Sequence, residues 1–200
     1  MPLQNRVDPF GALHAVSARG TFTGNRGVIH DPHSRRLLRR RWTTKAWLIC
    51  ACDFGGRRRD VMGSNGRTGG AGWTELFFLD EVTALAAGHR PCFLCRRGRA
   101  GDFMGRFAGI ARLDEPRVAE LDARLHRERL ASGGELPRIG PAQLRDLPDG
   151  AMVAMGPKAF ARREGRLLEW SFEGYSAHPA AADRDAGRGW RLLTPLVTLQ

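Results

Sequence analysis

Lysine is nearly missing from this 200-residue chain: of 32 basic residues only Lys45 and Lys158 are lysine, and the rest are arginine. No run of about 18 apolar residues occurs, which excludes a transmembrane helix. The first residues, MPLQNRVDPFGALHAV, hold no apolar stretch of signal-peptide length behind a basic start, so a cytoplasmic setting is expected. No internal repeat is found, which excludes a solenoid or propeller. Cysteine is scarce as well, with four in all. In a reducing compartment, two close cysteine pairs point to metal binding or redox chemistry before disulfides.

The hydrophobic fraction of 42% is enough for one packed domain, or a domain with a small module, and the charged fraction of 26% is ordinary. The net charge of +11 is distributed unevenly. Residues 1–112 carry 19 Lys+Arg against 8 Asp+Glu, whereas residues 113–200 carry 13 of each. A codon bias explains arginine over lysine but not an excess confined to one half. That asymmetry points to a polyanionic partner, with nucleic acid first.

The cysteines lie in the same basic half. Cys92-x-x-Cys95 follows Gly88-His89-Arg90-Pro91, a tight turn from which two thiolates can reach one ion at roughly 2.3 Å. The other pair, Cys50 and Cys52, falls in KAWLICACDF (45–54), an apolar segment that reads as a strand. Positions i and i+2 of a strand share a face, so Cys50, Cys52 and Leu48 point the same way. Cys50, Cys52, Cys92 and Cys95 together offer the four ligands of a structural zinc site. His89 or His30 is the alternative fourth ligand, and a Cys-x-Cys in an apolar strand also reads as core filling. A thiol redox pair is disfavoured because no thioredoxin-like βαβ pattern surrounds Cys92 and Cys95.

Around these motifs the chain divides into four stretches. Residues 1–42 read as an irregular basic arm with turns at Asp8-Pro9, Gly20 and Gly24-Asn25, ending in five arginines within 35–41. Residues 43–112 form the cysteine-bearing unit. In it, 45–54 and 57–62 are expected to pair as a hairpin through Gly55-Gly56, and 63–72 to form a glycine-rich loop. A strand follows over 75–79, then a short helix capped by Asp80 and ended by Gly88, then a second helix carrying Phe103, Phe107 and Ile110. Residues 113–134 hold a helix starting near Asp114-Glu115-Pro116 with Val118, Leu121 and Leu125 as its buried stripe. Residues 135–200 read as a small β-rich unit with strands at 151–155, 160–163, 167–172 and 190–199. The expected class is therefore α+β: a small mixed sheet with flanking helices around one zinc site, then a helix, then the β-rich unit.

The stretch Thr83-Ala84-Leu85-Ala86-Ala87-Gly88-His89-Arg90-Pro91-Cys92-Phe93-Leu94-Cys95-Arg96-Arg97, behind Leu76-Phe77-Phe78, resembles the zinc-binding domain of the Ada DNA-repair protein family. The likeness is specific over about 25 residues and loose over 43–112. It implies a small sheet with flanking helices around one zinc, held by Cys92, Cys95 and the upstream pair, with basic residues facing DNA. Arg57, Arg58, Arg59, Arg90, Arg96, Arg97 and Arg99 are the candidate phosphate contacts. By order, Cys50 matches the cysteine that in that family accepts a methyl group. The upstream spacing here is Cys-x-Cys where the family has Cys-x-x-x-Cys, and the gap between the pairs is longer. The Pro-Cys-His-Arg acceptor motif is absent, and no helix-turn-helix is evident after residue 112. The expected role is therefore zinc-dependent association with DNA, in repair or its regulation, with methyl acceptance not retained.

Two other functions stay open on sequence. A nucleic-acid-processing enzyme would use Gly24-Asn25-Arg26-Gly27-Val28-Ile29-His30-Asp31, with His30 as general base, His33 nearby and Asn25 and Arg26 approaching a ligand. A structural-zinc interaction module would present Trp170, Tyr175 and Trp190 to a partner. No oligomeric state is read from the sequence.

Overall fold

The computed structural model describes residues 1–56, 58–177 and 189–199. The chain is α+β, with two sheets and four α-helices among the described residues. The first sheet contains β1 (Arg6–Val7), β2 (Leu13–His14), β3 (Phe22–Asn25), β4 (Leu48–Ala51), β5 (Leu76–Phe78) and β6 (Arg90–Pro91), in the order β2-β1-β5-β3-β4-β6. It is mixed: β1 runs parallel to β5 and β4 to β6, while β3 is antiparallel to both β4 and β5. Residues 1–42 are thus no irregular arm, since they supply three of the six strands. The expected hairpin of 45–54 with 57–62 does not form either. No strand occurs over 58–62, and the neighbours of β4 are β3 and β6. Three arginines in succession offer nothing to bury, whereas Thr23 and Gly24 seat closely against Cys50 and Ile49.

The alternation of the central strands divides this sheet into two faces. Val7, Phe22, Ile49, Leu76 and Phe78 pack into one apolar cluster with Ala84 and Ala87. Gly24 lies on this side, where a Cβ would come within 2.0 Å of the Leu48 carbonyl oxygen and 2.9 Å of the Phe78 ring. On the other face a single register row runs from Arg6 through Phe77 and Thr23 to Cys50.

Helix α1 (Glu81–Ala86) starts at Asp80, whose carboxylate accepts the Thr83 N–H at 2.8 Å, satisfying one of the open donors of the first turn. Gly88 ends it at φ +77°, beside the Arg129 side chain. Helix α2 (Arg97–Ala111) leaves the second cysteine pair, and α3 (Val118–Glu128) packs against it through Phe107, Leu121 and Leu125. Ile110, expected on the buried stripe of α2, is exposed.

The last stretch holds α4 (Pro141–Asp146) and the second sheet: β7 (Met152–Met155), β8 (Lys158–Arg163), β9 (Arg166–Ser171), β10 (Gly174–Ala177) and β11 (Arg191–Leu192), in the order β10-β9-β8-β7-β11. All its pairings are antiparallel. The strand expected over 190–199 is only β11, followed by a 3-10 turn at Leu196–Thr198. Helix α1 lies between the two sheets. Its Ala84 faces the first core, and Ala86 and Val82 pack with Met152, Ala154 and Ala159 of the second.

Candidate metal centre and its groove

Strand β4 carries Cys50 on the face away from the core, and β6 beside it runs straight into Cys92. The Cys92 N–H donates to the Ile49 carbonyl at 3.0 Å, continuing the β4–β6 ladder into the cysteine turn. These contacts bring Cys50, Cys92 and Cys95 together, with their Sγ atoms all within 4.8 Å of one another. Tetrahedral zinc with bonds of about 2.3 Å sets its sulfurs about 3.8 Å apart, so a small contraction of the trio fits the ion.

The turn is built to carry thiolate charge. The Leu94 N–H points at Cys92 Sγ at 3.4 Å. Burial works to raise the Cys92 thiol, but the Cys95 and Leu94 N–H groups and hydrogen bonds from the Cys95 and Cys50 thiols outweigh it, and its pKa is lowered. Burial pushes the Cys50 thiol up, reinforced by Cys92 and Cys95. Three sulfurs this close favour one shared cation over three separate thiols. Helix α2 begins two residues after Cys95, and its N-terminal dipole adds to the preference for negative charge.

Cys52 stands apart from the trio. It is exposed, and its thiol donates to the Thr21 carbonyl at 3.4 Å. It lies just beyond the end of β4 and lines the same groove as Cys50, a hollow of about 740 Å³ whose floor is the polar side of β3, β4 and β5. Thr23, Asn25, Cys50, Glu75 and Phe77 form that floor, and Phe54, Arg58, Arg59, Trp73 and Leu94 form the walls. Glu75 is the organising acid here. It is buried, and its carboxylate accepts from Arg59 Nε at 2.6 Å and from the Met62 N–H at 2.8 Å. Alternation across 75–78 was the available signal: Glu75 and Phe77 face the groove while Leu76 and Phe78 face the core.

Among the described residues no histidine joins the metal group. His89 is fully buried, accepts from Arg26 Nε at 3.2 Å and stacks edge-on to Phe78. Burial, then the charges of Arg26 and Arg129, hold its pKa well below the ordinary range, so it is neutral. His30 is also buried, with Nδ1 2.6 Å from Thr74 Oγ1. No solvent reaches it, which removes the geometry of a general base acting on water. Arg26, expected to approach a ligand, is buried over the Trp47 ring at 3.9 Å with Nη1 on the Gly11 carbonyl. Asn25 does reach the groove. His33 is exposed.

The seven arginines expected to face DNA divide. Arg90 is buried and forms a two-pronged pair with Asp122 at 2.7 and 2.8 Å, which ties α3 to the cysteine turn. Arg96 is tied to Glu81 at 2.8 Å and lies over Phe22, and Arg59 is tied to Glu75 and stacks on Trp73. These three are structural, because a guanidinium next to a partly buried acid is held by it. Arg58, Arg97 and Arg99 are exposed, and Arg57 lies outside the described residues. Exposed Arg36, Arg39 and Arg40 extend the basic surface. The aromatics of the second sheet turn inward: Trp190 is core, Trp170 donates to Thr83 Oγ1 at 3.0 Å, and Tyr175 donates to Asp80 at 2.9 Å. Trp170 and Tyr175 are half-buried.

No helix among the described residues is long and apolar enough to cross a membrane. No protein-family model, no curated protein and no solved structure matches the chain.

Proposed function

We propose that the chain is a zinc-binding, DNA-associated protein of the kind the Ada-like motif implies, acting by binding rather than by methyl transfer. The observation that carries the reading is the convergence of Cys50, Cys92 and Cys95 within 4.8 Å. Zinc suits three thiolates because soft sulfur ligands select it over magnesium or calcium. The ion would fix β4, β6 and the start of α2 as one rigid unit. The role of DNA rests on the charge of residues 1–112 and on the exposure of Arg58, Arg97 and Arg99. None of the four cysteines is in a disulfide, which suits the reducing, cytoplasmic setting proposed here.

The experiment is a salt series on random duplex DNA. Each phosphate contact contributes about −0.9 to the slope of log affinity against log salt. Replacing both Arg97 and Arg99 by Gln is expected to flatten the slope by about 2 units. A response that is flat for the wild type rejects DNA as the partner and leaves the metal centre standing.

A further inference from the structure

We infer that the trio Cys50, Cys92 and Cys95 leaves the fourth position of its ion open to the groove, and that this position takes the sulfur of a small, negatively charged thiol. The inference rests on the metal reading above. Among the described residues no fourth His, Cys, Asp or Glu atom joins the three sulfurs, and a tetrahedral ion with three protein ligands keeps one vertex for an outside ligand. All three cysteines line the groove, so that vertex is reached from it.

The groove restricts the occupant. Glu75 cannot serve, because both its oxygens are taken by Arg59 and Met62. Cys52 is the chain's own competitor, held away only by a weak S–H bond to Thr21. A divalent ion with three thiolates carries a net charge of about −1, so oxygen anions gain little from it, whereas soft sulfur still bonds well. Arg59 is paired with Glu75, and exposed Arg58 on the same wall is the cation that would receive a carboxylate. A hollow of about 740 Å³ lined by Phe54, Trp73 and Phe77 holds a ligand far larger than water.

The exchange balances without redox change. The incoming thiol loses its proton and its sulfur bonds the ion. That proton goes to solvent and a water leaves the fourth position, while Cys52 keeps its own proton and its bond to Thr21. The same balance holds with Cys52 replaced by Ala, which removes the chain's own competitor.

The test uses the whole chain loaded with Co²⁺ under anaerobic conditions, titrated with 3-mercaptopropionate, 2-mercaptoethanol and cysteamine. In Cys52→Ala, thiolate-to-cobalt absorbance is expected to rise by about a third as three sulfur ligands become four. Cys52→Ser is the second variant should Cys52→Ala misfold. Affinity is expected to fall in the order anionic, neutral, cationic, and Arg58→Glu to weaken 3-mercaptopropionate about tenfold. Bound cobalt with a spectrum that no thiol alters overturns the inference while the metal reading survives. Equal binding of all three thiols, unmoved by Arg58→Glu, overturns the charge selection. Wild type that binds no cobalt overturns the metal reading and the inference with it.

Discussion

Two guanidiniums pack on Trp47, Arg26 at 3.9 Å and Arg129 at 4.1 Å from its ring centre. Burial pushes both down to about 9, Arg26 further disfavoured by Arg129 and helped by Asp8, Arg129 helped by Asp122. Both stay charged at neutral pH, and His89 beside them cannot. The unfolded chain titrates this histidine near pH ~6.5, whereas the folded one holds it neutral well below that. Below about pH 6.5 the unfolded state therefore takes a proton that the folded state refuses, and stability falls as pH drops, by up to about 1.4 kcal/mol per unit. Denaturant midpoints between pH 7 and pH 5 should show this decline, and His89→Gln should lose that part of it. Arg90 and Asp122 make the opposite kind of contact, a buried pair with both prongs made. Asp122→Ala strands the guanidinium and is expected to cost about 3–5 kcal/mol in urea unfolding. Arg58→Ala, on an exposed side chain, should stay within about 0.5 kcal/mol.

At the level of elements, β5 is the most economical piece of the molecule, because adjacent phenylalanines serve opposite faces. Phe78→Ala opens the core and should cost about 3–5 kcal/mol, while Phe77→Ala, on the groove side beneath Arg6, should cost less than about 1.5 kcal/mol. Unfolding curves of the two variants check this directly, and equal losses would mean the faces are misassigned. This alternation was readable in the sequence, as were the cap at Asp80, the stop at Gly88 and the stripe of α3. The strands of residues 1–42 were not. Arg6–Val7 and Leu13–His14 are two residues each, too short to show a period, and β5, which joins β1 to the rest of the sheet, lies far along the chain. The arginine partners were legible in part. Glu75 stands near Arg59 in the chain, whereas Asp122 and Glu81 reach Arg90 and Arg96 from other elements.

Across the whole molecule, α1 joins the two sheets, since each buries one side of the same six-residue helix. Trp170 and Tyr175 add hydrogen bonds to Thr83 and Asp80 at its first turn. The two sheets should therefore unfold together, with near-UV and far-UV signals coincident. Tyr175→Phe, which leaves that hydrogen bond unmade, should lower the common midpoint by about 1–3 kcal/mol without splitting it. The cysteine trio belongs to the same unit, because β4 and β6 that carry it form the edge of the first sheet. Metal content of the purified chain is the most direct test of the central claim. About one equivalent of zinc is expected in the wild type and in Cys52→Ser, and its loss in Cys50→Ser, Cys92→Ser and Cys95→Ser. Less than about half an equivalent in the wild type, or a content unchanged by Cys92→Ser, would contradict the metal centre.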